Sequence, residues 1–161
     1  MARPPRRPGP RGPAPPDAFP YDARRSPPAP VLPVRLGPPC TEPATAVAAL
    51  VDSGADVTVL PEGLPQALGL PQVSEVTVRG VAGTARVPVY AAEVEAAGTR
   101  RIVEAVAVGA EVLLGRDVLN GWVVTLDGPA RVLRLRLGPR TPDQAARRSL
   151  TKPLPRAGRF L

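Results

Sequence analysis

Asp52 closes the apolar run Val-Ala-Ala-Leu-Val and is followed at once by Ser53-Gly54, where the chain must turn. A carboxylate thus stands at the end of a strand that should be buried. An isolated acid in an apolar interior is expensive unless it is paired, hydrogen-bonded or protonated. One account is purely local: Asp-Ser-Gly makes a good Asx-turn, in which the carboxylate accepts backbone N–H groups two residues on and glycine tolerates positive φ. That account does not cover three further features. A second acid, Asp56, follows four residues later; both flanks are apolar; and a distant stretch, EVLLGRDVLNGW from Glu111 to Trp122, again runs an apolar strand into a glycine. The chain has no histidine, which excludes Ser-His-Asp hydrolysis, Cys-His proteolysis and most zinc catalysis. Acid and base work is left to carboxylates. Cys40, the single cysteine, can form neither an internal disulfide nor a metal site by itself and reads as an incidental small residue.

The elements that must position Asp52 are short strands. VLPVRLG (31–37) and TAVAALV (45–51) are separated by the turn-rich PPCTEPA, SEVTVRG (74–80) and TARVPVYAAEVEAAG (84–98) flank VAG, and RIVEAVAVG follows. WVVTLDGPARVLRLRL reads as two strands about Asp127-Gly128-Pro129, with Leu133, Leu135 and Leu137 on one face and Arg134 and Arg136 on the other. Only PEGLPQALGL and the segment after Gly115 have helical character, and both are brief. The domain is therefore expected to be all-β, a barrel or sandwich of closely spaced strands. Aromatics make up only 3% of the chain, so its core must be built of Val, Leu and Ala, and association with a second copy is an attractive way to hide more apolar surface.

ALVDSGADVTVLP, residues 49–61, resembles the signature of the retropepsin-like aspartic proteases: an apolar run, Asp-Thr/Ser-Gly-Ala, then another apolar strand. VLLGRDVLNGW, residues 112–122, resembles the same family's second landmark, in which an apolar pair and a glycine (here Leu113, Leu114 and Gly115) precede Arg, Asp or Asn and a short apolar helix. The resemblance covers 31–137 and implies a closed β-barrel or sandwich subunit with one short helix after the second motif. It further implies a homodimer, because an aspartic dyad needs two carboxylates sharing a proton and a held water, and this chain has one Asp-Ser-Gly. By that resemblance Asp52 is the catalytic carboxylate, and Ser53, Gly54 and Ala55 support the active-site loop. Ser53 ties the two loops together through its hydroxyl, and Gly54 allows close backbone approach. Asp56 and Arg116 match positions of a bracing, partly buried ion pair, and Gly80, Val81, Ala82 and Gly83 fall where the family places a mobile flap over bound peptide. Val31–Leu36 is a candidate part of the dimer interface, as terminal strands are in the family, and which termini pair is left open. The reaction implied is peptide-bond hydrolysis with neither metal nor other cofactor, in the style of a cellular or bacterial enzyme. The alternative is a catalytically inactive module of the same fold that dimerises or binds peptide.

The net charge of +7 belongs to the chain ends. Residues 31–137 hold 9 basic and 11 acidic residues, and the remainder 12 and 3. Residues 1–30, rich in Pro and Arg without apolar periodicity, are expected to be a disordered tail, and 138–161 a basic tail with a short capped helix over 142–150. Such tails could hold nucleic acid or an acidic partner weakly by charge; a solvated tail is the plainer reading, since no aromatic or RGG pattern accompanies the arginines. No apolar segment follows the basic N-terminus and none reaches membrane-spanning length, so the expected location is the cytoplasm, with no membrane partner.

Overall fold

The computed structural model describes residues 18–80 and 83–137. Their strands are β1 (Ala18–Pro20), β2 (Val31–Gly37), β3 (Thr45–Val51), β4 (Val59–Leu60), β5 (Gln72–Gly80), β6 (Gly83–Ala96), β7 (Thr99–Ala107), β8 (Val112–Leu114), β9 (Trp122–Asp127) and β10 (Val132–Leu137). Two single-turn helices, α1 (Leu64–Ala67) and α2 (Arg116–Leu119), interrupt them. No helix among the described residues is long and apolar enough to cross a membrane. The predicted helix over 142–150 and the rest of the C-terminal segment lie outside the described residues.

Six strands close a barrel. They follow the order β2-β3-β8-β4-β7-β6, and β6 returns to β2 through Val34↔Ala96 and Leu36↔Val94. The closure depends on the length of β6. Its second half pairs β7 from Val89 to Ala96, while its first half leaves the barrel and pairs β5 as a projecting hairpin. A barrel of six strands has little room inside, since about eight give an interior just wide enough for side chains to fill. The interior accordingly takes Ala49, Ala92, Ala96, Ala105 and Ala107 alongside Leu32, Val34, Leu36, Val94 and Leu114. Scarcity of aromatics is thus matched to the architecture: among the described residues only Tyr90 and Trp122 join the buried core.

A second, three-stranded sheet, β1-β10-β9, packs its Leu133 and Leu135 into the same core. The β9–β10 turn is held by Asp127, whose Oδ1 accepts the N–H of Ala130 at 3.0 Å. Leu137 shares the face of Leu133 and Leu135 as the alternation predicts, yet it is 67% exposed because nothing in the barrel reaches the last position of the strand.

The N-terminal boundary needs correction. Residues 18–30, expected to belong to a disordered tail, are part of the fold. Phe19 pairs Leu133, the N–H of Tyr21 bonds to Arg131, Asp22 bridges Ala29, and the carbonyl of Pro30 accepts the N–H of Val51. Composition argued against burial, but the partner strand β10 supplies it from the far end of the chain. β2 is enclosed within the subunit over much of its length. Its core-facing Leu32, Val34 and Leu36 are buried, and from Val34 to Leu36 its two edges are taken by β3 and β6.

Truncating Phe19 to alanine should lower the unfolding free energy by about 1–3 kcal/mol, the range for an aromatic that gives up part of its burial; chemical denaturation measures it. The Asp22 carboxyl is held at about 2, below its ordinary 3.8, chiefly by the side chain of Arg24 and then by that residue's backbone N–H. A depressed folded-state value stabilises above the ordinary value and loses that contribution as pH falls toward 2. An acid titration of Asp22→Asn should therefore be flatter than wild type between about pH 4 and pH 2.

Candidate active site

Strands β3 and β4 are joined by the loop 52–58, and β8 lies between them, parallel to β3 (Val51↔Leu114) and antiparallel to β4 (Val59↔Leu113). The ladder continues one residue beyond β3, where the N–H of Asp52 donates to the Leu114 carbonyl at 3.1 Å. Asp52 therefore emerges from the barrel with its backbone fixed. Its carboxylate Oδ1 accepts the N–H of Gly54 at 2.8 Å, which is the Asx-turn that the Asp-Ser-Gly sequence favours. The residue is half-buried and Ser53 and Gly54 are exposed, so the acid stands at the surface end of an apolar strand rather than within the core. This answers the cost raised by its flanks: the carboxylate keeps solvent on one side and a fixed donor on the other.

The two motifs are fastened to each other. The N–H of Arg116 donates to the Ala55 carbonyl at 2.9 Å, and that of Asp117 to the Asp56 carbonyl at 3.2 Å. Gly115 makes the approach possible. A Cβ there would lie 2.5 Å from both the carbonyl carbon and oxygen of Val57, a backbone collision that no rotamer relieves. Gly54 is crowded more mildly, its Cβ position being 3.1 Å from Asp52 Oδ1.

Thr58 and Asp117 do work here that the sequence reading did not assign. Thr58 is fully buried; its N–H donates to Asp117 Oδ2 at 2.9 Å and its hydroxyl to Oδ1 at 3.0 Å. Oδ1 also accepts the N–H of Val118 at 2.9 Å, so one carboxylate both holds the end of the loop and bonds to a backbone N–H in the first turn of α2. The available signal was a hydroxyl at the inward position of the Asp-Val-Thr-Val-Leu alternation. Asp56 and Arg116 do touch as an ion pair, but their side chains are 77% and 52% exposed, so the partly buried brace expected for them is a surface contact of small energetic weight.

The other predicted residues are placed as follows. Leu114 is fully buried in the core, and Leu113 next to it is half-buried. Gly80 pairs Gly83 at the tip of the β5–β6 hairpin, where Gly83 takes a φ of 117° open to glycine alone; Val81 and Ala82 lie outside the described residues. Trp122 is buried behind α2. A recess lined by Val123, Thr125, Arg134, Leu135 and Arg136 lies on the β9–β10 hairpin and includes none of the motif residues. Among the described residues no three Asp, Glu or Cys side chains gather as metal ligands would.

Removing the Asp117 carboxylate by Asp117→Ala leaves the buried Thr58 donors without a partner and should cost about 1–3 kcal/mol, with Thr58→Val costing less because it removes only the hydroxyl donor. Gly115→Ala should be more damaging than either, since the loop 52–58 must move away from β8. Thermal unfolding of the three variants ranks them.

Comparison with known proteins bears on the same segment. The family described as "gag-polyprotein putative aspartyl protease" matches residues 43–121, a span that contains the first motif, the second up to Gly121, and strands β3 and β8 that lead into them. Among solved structures, EIAV protease complexed with the inhibitor HBY-793 is similar at 21% identity over 57% of this chain and 86% of that one, with a TM-score of 0.46. No curated protein matches. Residues 43–121, which carry Asp52 at the end of β3 and Gly115 packed on its loop, match the retroviral-type aspartyl protease family and support a retropepsin-like assignment for the barrel.

Proposed function

We propose that the chain is an aspartic endopeptidase whose active site forms between two identical subunits. The observation that carries this reading is the Asp52 carboxylate, held by the Gly54 N–H at the exposed end of a loop whose backbone is bonded to β8 and α2. A single chain supplies one such acid. Two of them, brought together across a two-fold axis, would be unable to ionise independently, so one acts as base while the other remains protonated.

Base removal of a proton from the water held between the acids produces attack on the scissile carbonyl. The protonated partner donates to the carbonyl oxygen, and the resulting gem-diol collapses with proton transfer to the leaving amine. Ser53, exposed beside Asp52, is the residue that would link the two loops through its hydroxyl. The β5–β6 hairpin, glycine-bearing at its tip, is suited to cover an extended peptide and exclude water, and an extended peptide offers backbone groups in the pattern that strand edges bind. An inactive module of the same fold would be free to lose the acid or the adjoining glycine, whereas Asp52 and Gly54 are both present and bonded to each other.

Asp52→Asn should abolish cleavage of a peptide library, by roughly 10²–10⁴-fold or more, without loss of fold; equal cleavage by both proteins would refute the assignment. Subunit mixing tests the shared site. When wild type and Asp52→Asn are allowed to exchange in equal amounts, about one quarter of random dimers carry two intact acids, so activity per wild-type chain should fall to about half. An unchanged activity per wild-type chain would mean that each chain works alone.

A further inference from the structure

We propose that the outward face of the β9–β10 hairpin is a docking surface for an extended acidic peptide, a segment of a partner protein that carries carboxylates at alternate positions. The proposal does not depend on the dyad reading, since it uses none of the residues assigned to cleavage.

The strand ladder fixes which side chains share that face. Arg134 stands opposite Thr125 and Arg136 opposite Val123, while Leu133 and Leu135 alternate to the core side. Both arginines are exposed, and with Val123, Thr125 and Leu135 they line a recess of about 290 Å³. The ion pairs among the described residues engage Arg24, Arg25, Arg86, Arg100 and Arg116, and none of them reaches Arg134 or Arg136. The one acid in the strands of this sheet is Asp127, which lies at the turn, where its Oδ1 accepts the N–H of Ala130. Two like charges are therefore held side by side without a carboxylate between them.

Positive charge continues beyond the sheet at the same end. β1 runs antiparallel to β10 with Ala18 opposite Arg134, so residues 1–17 join the fold where β10 runs on through Arg136 to Leu137, the point from which 138–161 continue. The first stretch holds four basic residues and one acidic, the second six and one. An acidic partner approaching this end of the hairpin is attracted by both chain ends as well as by the recess.

Spacing selects the kind of partner. Side chains two apart on a strand stand about 6.7 Å from each other, which is also the repeat of alternate side chains on an extended peptide, so carboxylates at i and i+2 can meet Arg134 and Arg136 together. A guanidinium takes a carboxylate through two parallel N–H bonds. Val123 and Thr125 on the neighbouring strand add an aliphatic contact and a hydroxyl. Nucleic acid fits this face less well. It carries no aromatic side chain on which a base could stack, and residues 31–137 as a whole, with 11 acidic against 9 basic, would repel a polyanion extending past the hairpin.

The probe is a fluorescent eight-residue peptide alternating Glu and Thr, titrated by anisotropy with the full chain carrying Asp52→Asn so that the peptide is not consumed. Arg134→Gln/Arg136→Gln in that background should weaken binding at least about 5-fold, a modest factor because exposed ion pairs are individually weak. A peptide of the same composition arranged as Glu-Glu-Thr-Thr repeats has no carboxylates at i and i+2 and should bind at least about 3-fold less tightly than the alternating one. Both arginines are exposed, so thermal unfolding of the double variant should match that of the protein it is compared with. Equal affinity of the two proteins for the alternating peptide, or of the two peptides for the unsubstituted face, would overturn the proposal. A short DNA duplex that binds more tightly than the alternating peptide and loses that affinity in the double variant would also overturn it, and would give the face to nucleic acid.

Discussion

The contact on which the rest of the site depends is backbone against backbone: the loop 52–58 lies on Gly115 so closely that a single methyl group would collide with Val57. Everything that orients Asp52 follows from that approach. It lets β8 run between β3 and β4, brings Ala55 and Asp56 within hydrogen-bonding reach of Arg116 and Asp117, and sets the Asp117 carboxylate under Thr58. The acid is therefore positioned by main-chain bonds and one buried side-chain network, which tolerate little displacement, rather than by the exposed Asp56–Arg116 pair.

The barrel is the means of bringing those pieces together. Its two motifs are some sixty residues apart in sequence and meet only because β6 is long enough to pair three strands and close the ring. A narrow interior favours alanine and valine over aromatics, so a composition that looks poor for burial is suited to this particular core. The N-terminal segment adds a further restraint: its Pro30 carbonyl takes the Val51 N–H one residue before the acid, linking β1 and β10 to the site through the chain.

The sequence by itself determined the strands and the acid. β2 and β3 run over the very residues their apolar runs mark, the β9–β10 hairpin lies about Asp127–Pro129, and Asp52-Ser53-Gly54 turns through its own side chain, because alternation, turn chemistry and Asx bonding act between near neighbours. Tertiary structure alone decided the rest. That Phe19 belongs to the fold, that Thr58 and Asp117 share a buried network, and that Asp56 and Arg116 meet in solvent each depend on segments far apart in the chain. Burial is conferred by such distant partners, and no local pattern of residues records whether they arrive.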